Sequence, residues 1–204
     1  AVRPRIGVLD YGMGNLRSVA RALERVGAAV EVTDDPDVVG AADGLVVPGV
    51  GAFGACMRNL SSRGLEGPLR AFVAGGRPVF GVCLGMQVLF ERSEEDPEPG
   101  LGLLPGACRR LPSTVKVPHM GWNEVRWARP HPYAAGIPDG TRFYFVHSYA
   151  PDVADGVTVG VAEHGRPFAA AVARGNVFAT QFHPEKSGEP GLALYEAFVR
   201  EAGS

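Results

Sequence analysis

The chain has 204 residues, of which 46% are hydrophobic and 21% charged, the size and composition of one soluble globular domain spanning residues 1–204. A formal net charge of −2 points to neither nucleic acid nor a membrane surface as partner, and no apolar run approaches the roughly 20 residues that cross a bilayer. Three cysteines, Cys56, Cys83 and Cys108, without C-x-x-C spacing speak against a disulfide framework and a zinc site. With no signal-peptide pattern at the N-terminus, the expected compartment is the reducing cytoplasm, and neither metal nor cofactor is expected.

In chain order, the first half alternates strand and helix. Residues 5–10 form a short apolar run, read as a buried strand. Leu16, Val19, Ala20, Leu23 and Val26 recur at helical spacing, closed by Gly27. Strands follow at 29–32 and 44–47, helices near 53–60 and 69–74, and a fourth strand at 78–82 that runs into Cys83. This rhythm predicts an α/β fold: an open, mostly parallel doubly wound sheet with helices on both faces. Residues 93–106 are acidic and rich in Pro and Gly, hence a loop. Beyond them the helical period fades. Segments 107–111, 124–127, 142–146, 158–162, 169–173 and 177–181 read as strands, adding antiparallel members in the C-terminal half, before a helix at 192–202.

The segment G-V-C-L-G sets Cys83 between a strand and a helix, the cysteine counterpart of a nucleophile elbow. Gly81 and Gly85 give room for close strand–helix approach, the Leu84 N–H is aimed beside the sulfur, and the helix N-terminus favours a thiolate. Cys56 and Cys108 lack that setting and read as small buried hydrophobes. Late in the chain, Q-F-H-P-E-K-S puts His183 after a strand and Glu185 two residues on, the proton carrier and tautomer-fixing carboxylate that a cysteine nucleophile needs. His131 and His164 read as surface turns, and no carboxylate stands at a comparable offset from His119 or His147. The P-G-V-G-A-F loop, with Gly49 and Gly51 flanking Val50, can present backbone N–H groups to an oxyanion and can flip a peptide plane. D-Y-G-M-G-N lacks the full dinucleotide fingerprint.

These motifs resemble the class I, triad-type glutamine amidotransferases. Within them, D-Y-G-M-G-N-L, P-G-V-G-A-F, K-V-P-H-M-G-W-N, F-Y-F-V-H-S-Y and Q-F-H-P-E-K-S are similar to the glutaminase subunits of imidazole glycerol phosphate synthases. The resemblance implies a Cys83–His183–Glu185 triad that hydrolyses glutamine through a γ-glutamyl thioester. It also implies an oxyanion hole from the Val50 and Leu84 N–H groups, with Gly49, Gly51, Gln87, Ser148, Tyr149 and Glu95 around the substrate. The implied partner is a (β/α)₈-barrel cyclase subunit that receives ammonia and makes imidazole glycerol phosphate and an aminoimidazole carboxamide ribonucleotide, a step of histidine biosynthesis. Ammonia released into water would be protonated and lost, which agrees with a docked acceptor.

Almost every basic residue is arginine, and the two lysines, Lys116 and Lys186, both fall in these motifs. Lys186, next to Glu185, together with Lys116, Trp122 and Tyr144, are the residues expected at the partner interface. The glycines around Val50 lead to a further expectation, that the isolated chain is nearly inactive as a glutaminase until the partner's ligand binds. Other readings remain open on sequence alone: the glutaminase component of anthranilate or aminodeoxychorismate synthase, a cysteine peptidase or γ-glutamyl hydrolase, or a redox-sensing module built on Cys83.

Overall fold

The computed structural model describes residues 2–204. In the first half β1 (Arg5–Leu9), β2 (Ala29–Thr33), β3 (Gly44–Val47) and β4 (Val79–Val82) alternate with α1 (Leu16–Arg25), α2 (Pro36–Ala41), α3 (Phe53–Ser62) and α4 (Glu66–Ala74). A single-turn helix, α5 (Leu84–Gln87), follows β4. Then come β5 (Arg92–Ser93), β6 (Ala107–Arg110), β7 (His119–Trp127), β8 (Thr141–His147), β9 (Tyr149–Pro151), β10 (Thr158–Glu163), β11 (Pro167–Arg174), β12 (Val177–Thr180) and α6 (Gly188–Ala202).

The main sheet has the order β2-β1-β3-β4-β12-β11-β10-β7-β8. Its first five strands are parallel, and from β12 onward each neighbour is antiparallel. The expected doubly wound sheet with antiparallel additions is therefore the one the chain adopts. β3 and β4 are buried at every position, as parallel strands covered on both faces must be. Alternate residues supply the two cores. Ile6, Val8, Val46 and Phe80 meet Val19 and Leu23 of α1 and Leu194 and Phe198 of α6. Leu9, Leu45, Val47 and Val79 meet Leu60 of α3 and Leu69 and Phe72 of α4. The ring of Phe80 lies 5.2 Å from those of both Phe178 and Tyr195, which fastens α6 over the β4–β12 junction.

Three features depart from the sequence reading. α2 was not expected; Pro36 at its first turn and the Asp35 carboxylate accepting from the Asp37 N–H start it. Residues 107–110 join not the main sheet but a small one, β5-β6-β9, beside it. β7 starts at His119 rather than 124, so most of the K-V-P-H-M-G-W-N segment is strand. Among the described residues no helix is long and apolar enough to cross a membrane.

Candidate active site

β4 and β12 are adjacent and parallel, with Val82 opposite Thr180, and the Cys83 N–H continues the ladder to the Thr180 carbonyl at 2.8 Å. Both strands thus deliver their next residues to one carboxyl edge, at the point where the sheet changes from parallel to antiparallel. Cys83 leaves β4 with φ of 55°, the only positive φ outside glycine among the described residues. Such a backbone is costly for a side chain with a Cβ and persists only where its surroundings dictate it. Here they do. A Cβ on Gly85 would sit 1.9 Å from the Val47 carbonyl oxygen, and one on Gly81 2.9 Å from the Gly85 oxygen, so only glycines let the turn close. Cys83 is 5% exposed and opens into a cavity, not a sealed core.

His183 and Glu185 follow β12. His183 Nδ1 lies 2.7 Å from Glu185 Oε2, and both side chains are almost fully enclosed. A third residue that the sequence reading missed, Tyr195 of α6, donates its hydroxyl to Glu185 Oε1 at 3.0 Å. The turn is held from both sides: Ser187 Oγ donates to the His183 carbonyl at 2.6 Å, and the His183 N–H donates to the Tyr144 carbonyl at 3.0 Å. His183 Nε2 is buried and has no hydrogen-bond partner. Burial alone would make this ring less basic, but its interactions with Cys83 and Glu185 outweigh that and hold its pKa well above the usual imidazole range.

A cavity of about 250 Å³ lies in front of the sulfur. Val50, Gly51, Cys83, Leu84, Gln87, Glu95, Ser148 and Tyr149 line it, and so do Pro118, Val146 and His147. The structure thus gathers all but one of the expected oxyanion and substrate residues into one space. Gly49 is the exception. It sits behind the loop, where a Cβ would meet the Tyr11 hydroxyl at 2.7 Å and the Gly85 nitrogen at 2.8 Å. Its carbonyl accepts from the Leu84 N–H at 3.3 Å. That N–H was expected to point at an oxyanion formed beside the sulfur. Because a trans peptide sets its C=O and N–H on opposite sides, the Val50 N–H points away from Leu84. The Tyr11 hydroxyl, buried, donates to the Pro48 carbonyl and pins the base of the same loop. Glu95 Oε1 accepts from the Phe53 N–H at 2.7 Å. The dipole of α5 is weaker than the sequence suggested, since the helix has a single turn.

On the outer face, Trp122 of β7 stands opposite Tyr144 of β8, with ring centroids 6.1 Å apart. Lys186 Nζ lies 6.0 Å from the Tyr144 ring. Trp122 is 53% exposed and Met120, two residues before it, 63%. These three expected interface residues form one patch, which Met120 extends. Lys116 stands apart; its backbone carbonyl accepts from His164 Nε2 at 2.7 Å. The histidines expected in surface turns are better anchored than that. His164 stacks on His119 with centroids 4.1 Å apart, and His131 lies 4.8 Å from Phe178.

Fold and site together define a class: an α/β protein with an elbow cysteine opening into a cavity beside a buried His–Glu pair. The family model described as glutamine amidotransferase class-I matches residues 7–202. Solved structures agree on the fold. They include a glutamine amidotransferase crystal structure at TM-score 0.76 and 25% identity, covering 98% of this chain and 99% of that one. The structure of PurLQS from Thermotoga maritima aligns at TM-score 0.77 and 22% identity, with the same coverage. Among curated proteins, the imidazole glycerol phosphate synthase subunit HisH of Moorella thermoacetica is 52% identical over 209 residues, covering 100% of this chain and 99% of the relative. The subunit HisH of Aromatoleum aromaticum is 51% identical, covering 95% and 97%. The chain belongs to the class-I glutamine amidotransferases and, within them, to the family of these HisH subunits. That decides between the two synthase readings, against anthranilate and aminodeoxychorismate synthase.

Proposed function

We propose that this chain is the glutaminase subunit of an imidazole glycerol phosphate synthase, with Cys83 as nucleophile, His183 as proton carrier and Glu185 as orienter of His183. The observation that carries this reading is the convergence, at one sheet edge, of a cysteine held at positive φ with a buried His–Glu pair from the adjacent strand. The Cys83 thiolate attacks the side-chain carbonyl carbon of glutamine. The C–S bond forms and the C=O becomes an oxyanion. His183, protonated, gives its proton to the amide nitrogen, the C–N bond breaks, and ammonia leaves a γ-glutamyl thioester. Water, deprotonated by His183, attacks the thioester and releases glutamate and the thiolate. Gln87, Ser148, Tyr149, Gly51 and Glu95 line the space that would hold the amino acid. Gly49 shapes the loop rather than the wall.

Ammonia passes to a second subunit, a (β/α)₈-barrel cyclase making imidazole glycerol phosphate. The Met120–Trp122–Tyr144–Lys186 patch is the surface that suits it: aromatic and apolar anchors beside a single cation, next to the triad. Lys116 lies further along the same segment. The oxyanion hole is closed as it stands, because the Gly49 carbonyl occupies the Leu84 N–H and turns the Val50 N–H away. Inverting that peptide would free both donors. Loss of one such donor costs about 10²–10³ in kcat, so docking and ligand binding at the barrel are expected to raise glutaminase turnover by at least about 100-fold. The test is glutamate release by the purified chain, alone and with the barrel subunit and its nucleotide ligand. Cys83→Ala is expected to abolish release in both states. A chain that is equally fast alone refutes the closed-hole reading, and activity in Cys83→Ala refutes the nucleophile.

A further inference from the structure

Gln181 follows β12 directly, two residues before His183, and is 0% exposed. Nothing in the triad scheme uses it. Its amide orientation follows from its neighbours in series. The Tyr149 carbonyl can only accept, so the group of Gln87 that meets it at 2.9 Å is the Nε2 amide hydrogen. The other hydrogen of that NH₂ goes to Gln181 at 3.1 Å, where the atom must therefore be Oε1. This leaves Gln181 Nε2 facing Cys83 Sγ at 3.7 Å, a contact in which the amide can only donate. The backbone is fixed as well, since the Gln181 N–H donates to the Ala170 carbonyl at 2.8 Å. The thiol hydrogen, when present, has another acceptor in the Val146 carbonyl at 3.8 Å.

We infer that Gln181 is a catalytic residue: its side-chain N–H donates to the sulfur of Cys83 and stabilises it as a thiolate. The inference rests on Cys83 being the nucleophile. A donor held against the charged form favours that form, and more so in dry surroundings. The charged and titratable groups around the sulfur come from several elements. His183, with Glu185 behind it, comes from the turn after β12, Glu95 from the loop after β5, and His147 from the end of β8. Tyr11 and Cys56 form a hydrogen-bonded pair beneath the oxyanion loop. Of these, only protonated His183 has an N–H not committed to another partner and so free to turn to the sulfur, and it surrenders that proton when ammonia leaves. The Gln181 amide keeps its hydrogen through both half-reactions. It therefore also assists the second one, in which the sulfur is the leaving group, and it makes up for the short α5.

Two variants separate the donor from the rest of the network. Gln181→Glu keeps an oxygen for Gln87 but turns a carboxylate oxygen toward the sulfur. Gln181→Met removes both contacts without adding a buried charge. The measurement is the rate of Cys83 labelling by iodoacetamide from pH 6 to 9, with Cys83→Ala as the blank, alongside glutamate release. For Gln181→Met we expect labelling at pH 7 to slow about tenfold and to recover about one pH unit higher. For Gln181→Glu the displacement is larger, with kcat lowered and the KM for glutamine preserved. Gln181→Met carries the test if the charged variant fails to fold. Labelling curves that overlay the wild type in a folded variant overturn the inference while leaving the triad intact. Glutaminase activity in Cys83→Ala would instead overturn the nucleophile on which it rests.

Discussion

Glu185 is enclosed, and its two oxygens are divided between two partners: the His183 ring on Oε2 and the Tyr195 hydroxyl on Oε1. Burial and the nearby carboxylate push the Tyr195 phenol well above its usual value, so it stays protonated and donates. In this environment the phenol orients the carboxylate that orients the imidazole. Removing one partner from a buried hydrogen bond costs about 1–3 kcal/mol, and here part of that cost falls on the reacting geometry. Tyr195→Phe is expected to lower kcat of the assembled synthase about tenfold and leave the KM for glutamine unchanged. An unchanged kcat would reduce Tyr195 to a packing residue. At this scale the sequence is readable only where function is carried by neighbours in the chain. Cys83 and the His183–Glu185 pair announce themselves because a glycine-flanked turn and a two-residue offset are local. Tyr195 and Gln181 do not, because one looks like an apolar position in a helical stripe and the other like the polar end of a strand. Their chemistry exists only once α6 has brought one to Glu185 and β4 has set the Cys83 elbow and Gln87 beside the other.

The elbow shows what an element can dictate. β4, the turn and α5 fit only because the backbone of residue 85 lies against the Val47 carbonyl, where a methyl group would come within 1.9 Å of the oxygen. The obstacle is main chain of a buried strand, which cannot swing aside as a flexible side chain would. Gly85→Ala is therefore expected to destabilise by about 3 kcal/mol or more, beyond the usual range for overpacking, and to abolish labelling of Cys83 in whatever folds. Gly67 in α4 is the control, since a Cβ there meets nothing within 4 Å. Gly67→Ala is expected to leave stability unchanged or raise it by up to about 1 kcal/mol. Urea unfolding of both variants is the check, and equal midpoints would refute the steric account. The glycine spacing and apolar run made β4 and its elbow legible. The length of α5 was not, because the chain after Gln87 turns away to bond with the returning loop. Leu101, Leu104 and Gly100 donate to the carbonyls of Val88, Leu89 and Glu91. Strands of two and three residues, as in β5 and β9, carry too few positions for alternation to be seen.

For the molecule as a whole, the antiparallel half has buried a polar chain that its sequence hardly advertised, and this chain makes folding sensitive to acid. Asn123 Nδ2 faces His119 Nε2 at 3.3 Å, His119 Nδ1 faces His147 Nε2 at 2.9 Å, and His147 Nδ1 faces the Tyr149 carbonyl at 3.0 Å. The carbonyl accepts, so each ring must carry one hydrogen, on Nδ1, and accept on Nε2. A second proton on either ring would break a link. Burial first, then the other histidines nearby, lower His119 to about 4 and His147 to about 3, against about 6.5 in the unfolded chain. Below pH 6.5 the unfolded state therefore binds protons that the native state refuses. The stability these rings contribute is present in full above pH 6.5 and drains away as pH falls toward 4 and then 3, at up to about 1.4 kcal/mol per pH unit for each ring. His183 does not offset the loss. Its folded-state pKa is raised, so its contribution is already complete below pH 6.5 and is lost only on the alkaline side. Urea unfolding is accordingly expected to show a steady fall in stability between pH 6.5 and 4.5. His119→Gln with His147→Gln is expected to lower stability at pH 7 and flatten that fall. A wild-type profile already level across this interval would mean that the two rings take up protons without breaking the chain.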